Sequence, residues 1–378
     1  MFRPAPLALA VAVSAASMSA TAAPTLYGWV DIGIESYSES SDLNIVDESG
    51  RVLYPGSDAP VANTDGKDFS LTNGSQSRLG LKGEEALEDG WVGQYRMELR
   101  ANVLEDGGAA FRMRLGWLGL SKGDHHFKVG AQWSPFFAYS GWNTHRAEVH
   151  GVGSYFYITN LMVGSTQYGY RNDATVSYTY GDGAFSDSPF TATVALHVNE
   201  DDRGLDGDGN YTGSGAKTPL NDSGVTATTV AAAATFGPVT VNGAYIQSIV
   251  KESDEAKEMN IELAAPSIYS LGAKVKASDA LDFGFAYRAA DRDEGKDSGR
   301  QSYTVSAQYQ LNPDLSLHLG YGMGSDDDDA QLQLEQNVFG MVQYELSGSR
   351  HLRFEFEQVS YEDNGDMTVG LFSMRQAF

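Results

Sequence analysis

The sequence predicts an all-β chain of about sixteen antiparallel strands, and three observations carry that prediction. Apolar and polar residues alternate with period 2, which places successive side chains on opposite faces of a strand. Two kinds of connection alternate between these segments, one short and rich in turn-forming residues, the other long, polar and acidic. No apolar run approaches the ~18–20 residues of a membrane-spanning helix, so a chain of this kind crosses a bilayer only as a closed barrel.

The chain begins MFRPAPLALAVAVSAASMSATAAP. One positive charge, Arg3, precedes an apolar run over residues 7–13, and small residues lead to an A-x-A site at 20–22. This is the layout of a cleavable secretory signal, and its apolar core is too short to span a bilayer. The predicted division is a signal peptide over 1–22 and one β-domain over 23–378. The whole chain holds 26 Lys and Arg against 50 Asp and Glu, a net charge of −24, which becomes −25 once Arg3 is removed. So acidic a chain is a poor match for nucleic acid, whose phosphates need Lys and Arg. With no cysteine, disulfides do not hold it together outside the cytoplasm.

Strands are predicted near residues 25–36, 75–86, 91–102, 111–121, 126–134, 172–181, 190–199 and 223–236, then 239–250, 268–278, 282–291, 300–311, 315–324, 336–346, 351–360 and 367–378. Most approach the ~9–11 residues of a tilted transmembrane strand, and no proline interrupts them. Short turns read LEDG (87–90), KGDH (122–125), GP (237–238), SDA (278–280), NPD (312–314) and SGSR (347–350). Long connections are expected over 37–74, 135–170, 200–222, 251–267 and 325–335.

The faces separate cleanly. Leu26, Val30, Ile32 and Ile34 oppose Asp31, Gly33 and Glu35, while Leu79 and Leu81 oppose Arg78, Gly80 and Lys82. In GWVGQYRMELRA, Trp91, Tyr95, Met97 and Leu99 oppose Gln94, Arg96, Glu98 and Arg100. In FRMRLGWLGL, Met113, Leu115 and Trp117 are expected to oppose Arg112, Arg114 and Gly116. These charges must meet water, because burying unpaired charge is too costly. A two-sheet sandwich also places them in water, so alternation alone leaves both architectures open. The regular long/short asymmetry, the aromatics near strand ends (Tyr178, Tyr180, Phe283, Tyr303, Phe354) and the closing strand ending on Phe378 favour a transmembrane barrel.

Other chemistry is weakly supported. His150 and Ser154 lie four apart, but no nucleophile elbow surrounds the serine. His125-His126 reads as a solvated turn rather than a metal site. DGDGN at 206–210 opens like a calcium loop but has Lys217 where the twelfth-position Glu belongs. The acidic run 326–329 reads as a solvated loop, with divalent ions bridging lipopolysaccharide phosphates as the alternative. No metal or other cofactor is expected.

Several segments resemble a family. The signal followed by TLYGWVDIGIE, the hairpin SRLGLKGEEALEDGWVGQYRMELR, the hairpin RLGWLGLSKGDHHFKVGAQWSPF, the strand YRNDATVSYTY and the terminal VGLFSMRQAF resemble, in order, segments of the general porins of Gram-negative outer membranes, particularly the neisserial and β-proteobacterial type. The resemblance implies an all-β, 16-stranded antiparallel transmembrane β-barrel, usually a homotrimer, with a long third loop folded into the lumen. It implies that Phe378 is part of the signal read by the outer-membrane assembly machinery. It also implies a constriction where wall arginines, here Arg78, Arg114 and Arg171, face an acid of the loop, here Glu148. Arg96, which stands where the family carries Gln beside Glu98, is expected at the constriction as well. Lys82, Arg100, Arg112, Asp31 and Glu35 are the other expected lumen-facing charges.

The function so implied is passive diffusion of small hydrophilic solutes and ions through a wet lumen, without a chemical step, in contact with outer-membrane lipid and lipopolysaccharide. The arginines favour anions and the acidic loops favour cations. At physiological salt, screening over about 8 Å mutes the distant loops, so the expected selectivity is weak and anion-leaning. A substrate-specific channel, with Tyr155, Phe156 and Tyr157 stacking on a sugar or organic acid, is the alternative. An outer-membrane barrel hydrolase and a secreted soluble β-protein are more remote ones.

Overall fold

The alternating segments form strands in a computed structural model that describes residues 23–39, 69–73, 77–104, 111–145, 147–148, 150–159, 169–184, 188–198, 204–205, 211–212, 218–291, 299–326, 333–362 and 365–378. The predicted signal peptide, Arg146, residues 206–210 and the acids 327–329 lie outside the described residues.

The first half of the barrel comprises β1 (Thr25–Glu39), β2 (Phe69–Thr72), β3 (Arg78–Ala86), β4 (Val92–Ala101), β5 (Phe111–Lys122), β6 (His125–Trp133), β7 (Arg171–Tyr180) and β8 (Phe190–Val198). Three two-residue strands, β9 (Gly204–Leu205), β10 (Tyr211–Thr212) and β11 (Thr218–Pro219), make a small separate sheet. The barrel resumes with β12 (Val225–Phe236), β13 (Val239–Ser248), β14 (Ser267–Lys276), β15 (Leu281–Asp291) and β16 (Gly299–Asn312). It ends with β17 (Leu315–Asp326), β18 (Leu334–Ser347), β19 (Arg350–Tyr361) and β20 (Gly365–Ala377).

Consecutive strands pair antiparallel, and β1 pairs with β20 (Asp31 opposite Arg375), so the sheet closes and leaves no free edge. β2 and β3 both lie along β1, with Thr72 opposite Gly33 and Arg78 opposite Trp29. The two described segments occupy one stave beside β1, which makes sixteen staves. The first long connection is expected over 37–74, but strand pairing enters it from both sides. The terminal Phe378 exchanges two backbone hydrogen bonds with Gly28, sealing the seam. In the turn between β3 and β4, Asp89 (φ 56°) and Gly90 (φ 77°) both take the left-handed conformation that short-side-chain residues tolerate.

The outer face is apolar and bare. Leu118, Leu271 and Leu319 are exposed, as are Ile34, Val129, Tyr303 and Phe372. A belt this continuous exceeds the apolar patches that soluble monomers carry, and a bilayer is the solvent that covers it. Among the described residues no helix is long and apolar enough to cross a membrane, which says nothing of strands.

One expected face is corrected. The β4–β5 register shifts between Glu98 and Leu99, which face Leu115 and Met113, so Arg114 is the extra residue of a β-bulge. The bulge reverses the parity of β5. Phe111 and Met113 stay outside, but Leu115 is buried, and Leu118 and Leu120 replace Leu115 and Trp117 on the exposed face. Trp117 lies inside, with the Lys128 ammonium 4.6 Å from its ring.

The third connection contains helices α1 (Pro135–Tyr139) and α2 (Gly153–Thr159). Pro135 at the first helical position and the Ser134 hydroxyl, which accepts from the Phe136 amide at 3.2 Å, start α1. α1 packs on β12 and β13, and α2 on β15 to β18. Phe136, Phe137, Tyr139, Tyr155, Phe156 and Ile158 form a buried cluster with Ala231, Ile246 and Ile268, on the strand faces opposite Val230, Tyr245 and Tyr269, which are exposed. The loop thus rests against the inner wall. A third helix, α3 (Asp254–Glu258), lies in the connection between β13 and β14, where Ala256 packs with Leu220 and Leu263.

Candidate pore constriction

Parity on β3 and β4, and the bulge on β5, bring three guanidiniums to one carboxylate. Glu98, 1 % exposed, meets Arg96 Nη2 at 2.7 Å, Arg114 Nε at 3.1 Å and Arg78 Nη1 at 3.5 Å. The Tyr27 hydroxyl donates to Glu98 at 3.0 Å and accepts from Arg96 Nε at 2.7 Å. Tyr27 fits because residue 80 is glycine: a Cβ there would stand 2.2 Å from the Tyr27 ring. Three of the expected constriction arginines and the expected lumen acid therefore form one network.

A second network joins the barrel seam to the long loop. Asp31 accepts from Arg353 Nη2 at 2.5 Å and from Arg375 Nε at 2.9 Å. Arg375 Nη2 donates to Glu148 Oε2 at 3.0 Å, and Arg353 Nη1 lies 3.6 Å from the same oxygen. Burial within the barrel would raise the Glu148 pKa, but Arg375 and then Arg353 override it and hold the carboxyl well below the usual carboxylate range. The Glu148 side chain is 38 % accessible, as befits a group facing a lumen. Trp29 links the two networks, with Arg78 4.3 Å and Arg375 4.6 Å from its ring centroid.

The loop is also tied to β19, beside the seam, through its backbone. Glu355 accepts the amides of Glu148 and His150, each at 3.2 Å, and Glu357 accepts those of Gly151 at 2.7 Å and Gly153 at 2.9 Å. Buried Arg288 donates to the carbonyl and hydroxyl of Ser140 and to the hydroxyls of Thr144 and Thr304. Each bond satisfies a loop group that would otherwise be lost from water.

The remaining predicted positions divide. Arg171 makes its ring contacts elsewhere, 5.6 Å from Trp133 and 5.0 Å from Tyr170. Glu35 is buried on the inner face of β1. Arg78, Arg100 and Arg112 lie in one cross-strand row, and Lys82 lies opposite Arg96. Tyr155, Phe156 and Tyr157 are 3 %, 4 % and 4 % exposed, so they pack the loop and do not stack on a passing solute. The Ser154 hydroxyl bonds Thr304 at 2.8 Å, and no hydrogen bond joins it to His150. His150 is buried with both ring nitrogens unbonded, and burial pushes its pKa down to about 4. His125 bonds the Tyr178 hydroxyl at 2.8 Å. Gln376 bonds Arg350 and Ser349 at the β19–β20 rim.

Arg353, Arg375 and Arg288 were not among the expected site residues. The signal for the first two is the same period 2: Arg353 alternates with Leu352 and Phe354, and Arg375 with Phe372 and Met374. The bonds of Arg288 to the loop have no signature in the sequence.

Residues 8–329 match the model of the Gram-negative porin family. The sequence has no significant match among curated proteins. Among solved structures, the chain is similar in fold to an anion-selective porin from Comamonas acidovorans, at 17 % identity and TM-score 0.67, covering 94 % of this chain and 99 % of that one. It is similar to the outer membrane channel DcaP of Acinetobacter baumannii at 16 % identity and TM-score 0.63, covering 94 % and 97 %. It is also similar to OmpF of Salmonella typhi at 13 % identity and TM-score 0.62, again covering 94 % and 97 %.

Proposed function

The chain belongs to the Gram-negative porin family, and from that premise we propose that its inner-wall arginines and the third loop form the selective narrowing of a diffusion channel. The protein is an outer-membrane porin, a water-filled barrel through which small hydrophilic solutes and ions diffuse passively. Arg78, Arg96 and Arg114 on β3 to β5, and Glu148 of the loop held at the neighbouring seam, set the field along the solute path. No chemical step is involved. The observation that carries this reading is the convergence of three guanidiniums on the single carboxylate of Glu98, which leaves that wall net positive. The resulting preference is weak and for anions.

The finer placement among neisserial-type porins rests on the motifs TLYGWVDIGIE and SRLGLKG. The same reading includes a homotrimer in contact with outer-membrane lipid and lipopolysaccharide, export by a signal cleaved after Ala22, and recognition of the strand ending in Phe378 by the barrel-assembly machinery. Single-channel recording in a planar bilayer under a potassium chloride gradient tests it. A stable ohmic conductance with a reversal potential displaced toward chloride supports the reading, and a cation-side reversal potential overturns it.

A further inference from the structure

Below the Glu98 network, toward the short turns, the same wall carries cations with no acidic partner. Lys82 faces Arg96 directly across the β3–β4 pair, an arrangement that costs stability unless something offsets it. Both approach one ring: the Lys82 ammonium is 5.5 Å and the Arg96 guanidinium 5.2 Å from the Tyr27 centroid. On the next staves Trp117 lies opposite Arg96, and the Lys128 ammonium sits 4.6 Å from the Trp117 ring. Arg96 shares its one carboxylate, Glu98, with two further arginines. Among the described residues, neither Lys82 nor Lys128 has a carboxylate within ion-pairing distance. Lys128 is half-buried, so water compensates it only in part.

Three cations within four neighbouring staves, on β3, β4 and β6, two of them without a counter-charge, and flanking rings that hold the ammoniums in place describe a receptor for negative charge. We propose that Lys82, Arg96 and Lys128, with Tyr27 and Trp117 positioning them, form a second anion station on the short-turn side of the constriction, fitted to small dianions such as dicarboxylates. A monoanion neutralises one cation and leaves the Lys82–Arg96 repulsion in place, whereas a dianion offers a charge to each of that cross-strand pair, with Lys128 adding to the positive field. The station rests on the proposed wet lumen and deepens it from a weak field to a saturable site.

The test is potassium chloride conductance of the full-length porin in planar bilayers with succinate added to both sides. Wild type shows a saturable fall in conductance with succinate and a weaker one with acetate. In the double variant Lys82→Gln/Lys128→Gln the half-blocking succinate concentration rises roughly tenfold, the scale of losing two screened contacts. In Lys82→Arg/Lys128→Arg, which keeps the charges, block is retained. Heat-modifiable migration in detergent confirms that each variant is folded. Equal half-blocking concentrations in wild type and the Gln variant, or conductance linear in succinate for wild type, overturn the station. The constriction has its own readout, the chloride reversal potential of Arg114→Glu without succinate. A normal shift there together with unaltered succinate block defeats the station alone.

Discussion

Arg375 on the last strand donates to Glu148 in the third loop at 3.0 Å, across 227 residues of chain. The bond places a loop carboxylate against the seam at which the barrel closes, where Asp31 already holds both Arg375 and Arg353. The loop is therefore fixed to the seam wall twice, by its side chain on Arg375 and by its amides on Glu355 and Glu357 of β19.

Replacing Glu148 by Gln removes one negative charge from the lumen beside Arg353 and Arg375. Chloride selectivity should rise. Stability should fall by about 1–2 kcal/mol, since the lost contact is charged but partly solvated. Reversal potentials and thermal melts in detergent read the two effects. Because the Glu148 pKa is depressed, its stabilising contribution is complete above the unfolded carboxyl value near ~4.3 and is lost only as pH falls through the lower folded value. The difference between Glu148→Gln and wild type should therefore stay constant from pH 8 down to about 5.

His150 acts in a higher pH window. Its folded pKa, about 4, lies below the ordinary histidine value of 6.5, so the unfolded chain takes up a proton first. Stability should decline as pH falls from about 6.5 to about 4, by at most ~3 kcal/mol. His150→Asn should remove that decline, as seen in melting temperature against pH. An identical pH profile in the variant contradicts burial as the cause.

Gly80→Ala puts a methyl group into the Tyr27 ring. Overpacking of this kind costs roughly 1–3 kcal/mol. Displacement of Tyr27 should also free Arg96 and Glu98 from its hydroxyl and alter the conductance. Restored stability in the double variant Gly80→Ala/Tyr27→Ala is the expected sign that the clash is the cause.

The strands were legible because a closed barrel enforces one rule everywhere, apolar outward and polar inward. Tyr27, Asp31, Arg78, Arg96 and Glu98 all obey it. The rule fails at Arg114–Leu115, where one extra residue reverses the parity and no local composition announces it. The fold of the third loop was not legible either. Helices α1 and α2 are five and seven residues long, and what holds them is supplied by Arg288, Glu355 and Glu357 from distant staves. Glu148 stood out as one of few charges in an aromatic segment, but its partners lie at the far end of the chain.

The reversal potential of Arg114→Glu in a potassium chloride gradient tests the selective narrowing most directly. Arg114 is 4 % exposed, bonded to Glu98 and bulged into the inner face, so reversing its charge places two carboxylates together at the constriction. The reversal potential should move toward potassium while the barrel still inserts and conducts. An unchanged reversal potential in a folded, conducting variant would show that the Glu98 network does not govern which ions pass.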